Sequence, residues 1–184
     1  MDEKRNNGDG YKQLVDACYR GDLKSVIALC NRPGTNINLA SKFRAGPPLH
    51  VACARGHLNV VKYLVEAGAD INLTESMNYN TPLIYTIYCG IKTPYPKLTA
   101  VINYLAARPG INLAAKNARG DTFLSAAMNR VTCSLFAHIC KNVFSYEIPY
   151  NIVINALNAA IRDKRMDIID YLVKNIHIHI NEET

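Results

Sequence analysis

The sequence predicts an all-α solenoid of about five stacked helix pairs joined by short hairpin-like fingers. Three observations predict it. The first is the stretch Pro47 to Asn72, which reads as helix, glycine stop, helix, glycine stop and extended exit. Leu49, Ala52 and Cys53 share one helical face, Leu58, Val61, Leu64 and Val65 share another, and Gly56 and Gly68 follow the two runs. The second is that helices this short are marginal in water when alone, so the unit needs copies of itself. The third is that the copies exist. With Pro47 as a register mark, leucine stands at mark+2, alanine at mark+5 and glycine at mark+9. Lys12, Thr81, Thr122 and Asn155 head related units, and the five marks are spaced 35, 34, 41 and 33 residues.

A period of about 33 residues with a Thr-Pro-Leu-His-x-Ala helix start is the sequence sign of ankyrin repeats. Here that start stands as Pro47-Pro48-Leu49-His50-Val51-Ala52 and again as Thr81-Pro82-Leu83. From about Gly10 to Asn181 the chain resembles an ankyrin-repeat protein. The organisation expected is a disordered polar tail over 1–10, then a repeat domain over 11–184. Its units fall at roughly 11–42, 43–76, 77–117, 118–150 and 151–184.

Each unit departs from the pattern in its own way. The first has Lys12-Gln13 in place of Thr-Pro, which suits a terminal repeat with one face uncovered. The second has Pro47 where a threonine would cap the helix, a loss of about 1 kcal/mol. The third carries an insertion, Ile91 to Lys97. It is expected to lengthen the loop between the two helices, since a helix interior does not tolerate two prolines. It is either an ornament or a second contact site built on Tyr95, Lys92 and Lys97. The fourth has Val131, and the fifth Lys164, where the stop glycine belongs. The alternation Ile176-His177-Ile178-His179-Ile180 reads as a trailing finger.

Composition narrows the setting. Apolar residues make up 49% of the 184, enough for a continuous interior without metals or crosslinks. The six cysteines fall mostly at apolar register sites, with Cys89 alone expected to see solvent. They read as reduced thiols in a reducing compartment. The first ten residues do not form a secretory signal, and no apolar run is long enough to cross a membrane. A cytoplasmic monomer is expected. The Asn- and Ile-rich, Trp-free composition also suits a small effector of an intracellular bacterium, which would act in the host cytosol.

Motifs for chemistry are sparse. His177 and His179 share a side of an extended segment, but a zinc site needs three or four ligands and no third is nearby. No metal, no cofactor and no enzymatic activity are expected, and neither a phosphate-cradling Gly-x-x-x-x-Gly-Lys motif nor His-Glu-x-x-His is present. The ankyrin resemblance implies that His50 and His57 tie neighbouring repeats together by hydrogen bonds. It also implies that the inner helices and finger tips line a concave binding face. Reading mark+7, mark+8 and the finger tips down the stack collects Tyr19, Arg20, Phe43, Arg44, Arg55, Met77, Asn78, Tyr88, Arg119, Arg130 and Arg162 as partner-binding residues.

Arginine with aromatic residues is the composition of binding hot spots, and an arginine fork suits carboxylates and phosphates. Helix dipoles supply a competing reason for cations at mark+8, which lies in a last helical turn. The function expected is therefore an adaptor that binds another, partly acidic protein. The alternative is a nucleic-acid-binding protein, prompted by the net charge of +6. Finally, Leu64, Asp70, Ile71 and Asn72 resemble the pattern that asparaginyl hydroxylases modify in ankyrin repeats. Asn72 is thus a candidate hydroxylation site, expected to gain one oxygen in intact mass after incubation with such an enzyme.

Overall fold

A computed structural model describes residues 3–39, 46–90, 92–143 and 150–175. Ten helices follow in order: α1 Glu3–Arg20, α2 Leu23–Cys30, α3 Pro48–Ala54, α4 Leu58–Glu66, α5 Pro82–Cys89, α6 Tyr95–Ala106, α7 Phe123–Arg130, α8 Cys133–Val143, α9 Tyr150–Arg162 and α10 Met166–Asn175. The odd-numbered helices pack in a row, α1 on α3, α3 on α5, α5 on α7 and α7 on α9. The even-numbered ones form a second row, α2 on α4 through to α8 on α10. Five helix pairs stacked in two layers are the expected all-α solenoid.

The interior follows the register. Leu14, Leu49, Leu83 and Leu124 at mark+2 are buried, and so are Ala17, Ala52, Thr86 and Ala127 at mark+5. Small side chains at mark+5 let neighbouring helices approach closely. Thr86 fits because its hydroxyl donates to the Pro82 carbonyl 2.7 Å away, which satisfies the one polar group it brings inside. The second row contributes Val61, Leu64, Ile102, Leu105, Phe136 and Ile139. Cys18, Cys53 and Cys140 are buried among them, Cys89 is exposed, and all six thiols are free. Burial pushes the Cys18 and Cys140 thiols up to about 12 and raises Cys53 and Cys30 as well.

Helix starts obey local chemistry. Thr81 accepts from the Ile84 N–H, and Thr122 and Ser125 satisfy each other's backbone donors in a capping box. Pro47 caps α3 with no side-chain bond, as the sequence implies.

The ends of the stack differ from expectation. Residues 3–10, read as a disordered tail, continue α1 without a break. Glu3, Lys4 and Arg5 are good helix formers, while Asn6, Asn7, Gly8, Asp9 and Gly10 are poor ones. The extension therefore rests on growing a helix already anchored at Tyr11 and Leu14, which costs far less than nucleating one. At the other end α9 starts at Tyr150, so the last mark, Asn155, lies inside a helix rather than before one. Phe43, Arg44 and the trailing finger at 176–180 lie outside the described residues.

The insertion is divided between loop and helix. Pro94 is the N-cap of α6 and Pro96 sits in its first turn, where a missing N–H leaves nothing unpaired. Part of the insertion therefore lengthens α6 instead of the loop; Ile91 lies outside the described residues. Thr93 donates to the Ala54 carbonyl at 2.7 Å, and Tyr95 reaches the Ser134 carbonyl at 3.3 Å and meets His138 edge-on. The segment joins its repeat to both neighbours.

Glycine matters most at the helix-pair turns. Gly21 has φ +73°, and a Cβ there would lie 2.5 Å from the His57 ring. Lys164 holds the same left-handed conformation at φ 56° without being glycine, a strain of about 1 kcal/mol. Val131 avoids the conformation altogether: its backbone is extended, and α8 begins two residues on.

Candidate partner-binding surface

Hydrogen bonds between repeats position the exposed side chains. The His57 ring Nε2 donates to the Tyr19 carbonyl at 3.1 Å, filling an acceptor that the end of α1 leaves open. The carbonyl can only accept, so Nε2 carries the proton. Thr93 does the same for the end of α3, and Arg165 for the end of α7, donating to the Met128 and Val131 carbonyls at 2.7 and 3.1 Å. His57 and Arg165 both stand at mark+10, the register signal that would have singled out Arg165. His50, fully buried, donates from Nε2 to the Asn80 carbonyl at 3.0 Å. Both histidines tie repeats together.

The fingers are held by a second network. Glu75, 5% exposed, accepts from the backbone N–H groups of Met77, Asn78 and Asn80 and from the Asn80 side chain. Asn117 in the next finger donates to Asn80 Oδ1 at 2.9 Å and accepts from Arg119 and Asp121. The Ala118 N–H donates to the Asn78 carbonyl. Sequence reasoning missed Glu75, whose place in the next finger is taken by Asn117.

Asn72 is part of a ladder. Its amide nitrogen donates to the Gly110 carbonyl at 2.8 Å, and its oxygen accepts from the Asn112 N–H at 2.9 Å. Asn38 makes the equivalent pair with Gly68 and Asp70 one repeat earlier. The recurrence of Ile-Asn-Leu at 37–39, 71–73 and 111–113 was its signal.

The arginines and tyrosines meet in a fixed relation. The Arg55 guanidinium carbon lies 3.7 Å from the Tyr19 ring centroid, and that of Arg130 lies 4.9 Å from the Tyr88 centroid. In both cases a mark+8 arginine covers the mark+7 tyrosine of the preceding repeat. Arg119 approaches Tyr88 as well, at 5.7 Å. The Tyr88 hydroxyl donates to Asp121 Oδ2 at 2.5 Å. Burial first, and then that bond, raise its pKa.

Tyr88, Arg119, Arg130 and Arg162 come together in a depression of about 480 Å³. Arg165, Asn129 and the two acids Asp121 and Asp163 complete it. Arg20 is turned elsewhere, into a groove between α1 and α2 shared with Gln13, Asp16 and Arg32. Met77 is 62% exposed at its finger tip, with Asn78 exposed beside it. Among the described residues, no three His, Cys, Asp or Glu side chains converge as metal ligands; His177 and His179 lie outside them. No described helix is long and apolar enough to cross a membrane.

A family model for three copies of the ankyrin repeat matches residues 14–117, more than half of the chain. The chain belongs to the ankyrin-repeat family. An ankyrin repeat protein of fowlpox virus is 45% identical over 62 residues, covering 34% of this chain and 31% of that protein. Mouse ankyrin repeat domain-containing protein 63 is 32% identical over 107 residues, 56% of this chain and 25% of that one. A fission-yeast BTB/POZ domain-containing protein 3 is 39% identical over 77 residues, 38% of this chain and 14% of that one. The match thus spans less than a third of each relative's length. Ankyrin repeats in general serve as non-enzymatic modules for protein–protein interaction.

Proposed function

We propose that this ankyrin-repeat chain is an adaptor that grips a partly acidic protein with its arginine- and tyrosine-bearing surface. The observation that carries the reading is the repeated stacking of Arg55 on Tyr19 and Arg130 on Tyr88. Stacking holds each guanidinium in place and leaves its edge free to donate, so little side-chain entropy remains to be lost on binding. Met77 and Asn78 extend the surface at a finger tip, and Phe43 and Arg44, outside the described residues, are proposed from their sequence positions. Arg162 belongs to the same patch. Arg20, in the groove between α1 and α2, is a separate contact.

The proposed setting is a monomer in the cytoplasm. None of the three relatives above is bacterial, so an effector role rests on composition alone. Hydroxylation at Asn72 would require the ladder to loosen first, because both ends of that amide are engaged.

The test is the paired reversal Arg55→Glu with Arg130→Glu. Capture of the partner from lysate is expected to disappear. The melting temperature should fall only slightly, since each exposed ring contact contributes about 0.5–1 kcal/mol. Unchanged capture would reject the surface. Capture abolished by nuclease treatment of the lysate would favour nucleic acid instead.

A further inference from the structure

The charges in the depression beside Tyr88 pair off unevenly. Arg165 is committed twice over: it holds the Asp167 carboxylate through two bonds of 3.0 and 2.9 Å, and it donates to two backbone carbonyls. Arg162 pairs with Asp163 at 3.3 Å. Asp121 accepts the Tyr88 hydroxyl. Arg119 and Arg130 form no ion pair among the described residues, yet both guanidinium carbons lie within 6 Å of one ring centroid. With Arg165 answered by Asp167 and Arg162 by Asp163, Arg119 and Arg130 face Asp121 alone, a formal surplus of one positive charge.

Two like charges gathered over one neutral ring repel each other, and an anion between them removes that repulsion. A lone carboxylate supplies one negative charge, whereas a phosphate monoester supplies about two near neutral pH, with several strong acceptor oxygens. Guanidinium forks match such an oxyanion in geometry as well as charge.

We propose that Arg119 and Arg130, mounted on the Tyr88 ring, clamp the phosphate of a phosphorylated serine or threonine in the partner protein. This rests on the protein-binding reading above and adds the modification that the partner must carry. Arg162, paired with Asp163, lines the same depression.

The experiment uses the full chain and degenerate nine-residue peptides with phosphoserine, serine or glutamate at the centre, compared by fluorescence anisotropy. Phosphoserine peptides are expected to bind about tenfold tighter than either other set, as charge-assisted bidentate bonds imply. The pair Arg119→Gln with Arg130→Gln should erase that preference. The pair Arg119→Lys with Arg130→Lys keeps the charge but not the forks, and should weaken it. Arg32→Gln, in the groove between α1 and α2, should leave it intact. Circular dichroism confirms that each variant is folded.

Equal binding of the three peptide sets would overturn the proposal, and so would a preference that survives loss of both arginines. Tighter binding of a twelve-nucleotide single-stranded RNA than of any peptide would reassign the clamp to nucleic acid. Partner capture that persists after phosphatase treatment of the lysate would reject the phosphate while leaving the adaptor reading in place.

Discussion

Glu75→Ala should destabilise the stack by about 3 kcal/mol, read as a lower urea midpoint at pH 7. The carboxylate is 5% exposed and accepts four hydrogen bonds, three of them from backbone N–H groups of its own finger. Alanine leaves those donors without acceptors in a place where water reaches only the tip. Each buried donor so orphaned costs about 1–3 kcal/mol, and re-solvation around the exposed Met77 and Asn78 recovers part of the sum. The effect also spreads. Asn80 loses its side-chain hold while it presents its carbonyl to His50 and its Oδ1 to Asn117, although the backbone N–H of residue 75 still donates to that carbonyl. Glu75→Gln keeps one acceptor oxygen and the shape, and should cost about half as much. A loss under about 1 kcal/mol for the alanine variant would mean that the finger does not depend on this carboxylate.

The second large effect is with pH. His50 is fully buried, and burial pushes its pKa down to about 4 against an ordinary 6.5, even though the Asn80 carbonyl and the Glu75 and Asp70 charges act to raise it. The folded chain therefore keeps the ring neutral where the unfolded chain has already protonated it. Between those two values the unfolded state binds one more proton, so stability rises with pH and is lost as pH falls through the window from 6.5 to 4. One proton changes stability by about 1.4 kcal/mol per pH unit. Isolating this one group requires a variant that cannot titrate there. Between pH 7 and pH 5 the native chain should lose about 2 kcal/mol more than His50→Gln does. Parallel losses in the two proteins would show that the buried ring is not the titrating group.

These two residues differ in how visible they are along the chain. His50 announces itself, because it follows Leu49 in a helix start that recurs and resembles a familiar repeat. Glu75 does not, since it falls in an irregular finger where neither periodicity nor a paired charge marks it. The same contrast holds for the arginines. Register alone places Arg55 and Arg130 at equivalent sites, and each covers a tyrosine of the preceding repeat. Register also groups Arg20 with them, but the first repeat has no predecessor among the described residues. Arg20 therefore has no tyrosine to cover and turns into the groove between α1 and α2.

The order of residues dictates the architecture without further help: helix pairs too short to stand alone, repeated five times, with leucine and small residues at fixed steps. That much is local, because helical periodicity and turn residues are properties of neighbours along the chain. Stacking in three dimensions, and nothing short of it, assigns Thr93, His57 and Arg165 one task from different backgrounds. It also makes the insertion a tie between three repeats and brings Arg119 and Arg130 together on Tyr88. Those relations join residues more than thirty positions apart. Their distances are set by how one repeat sits on the next, which no single unit encodes.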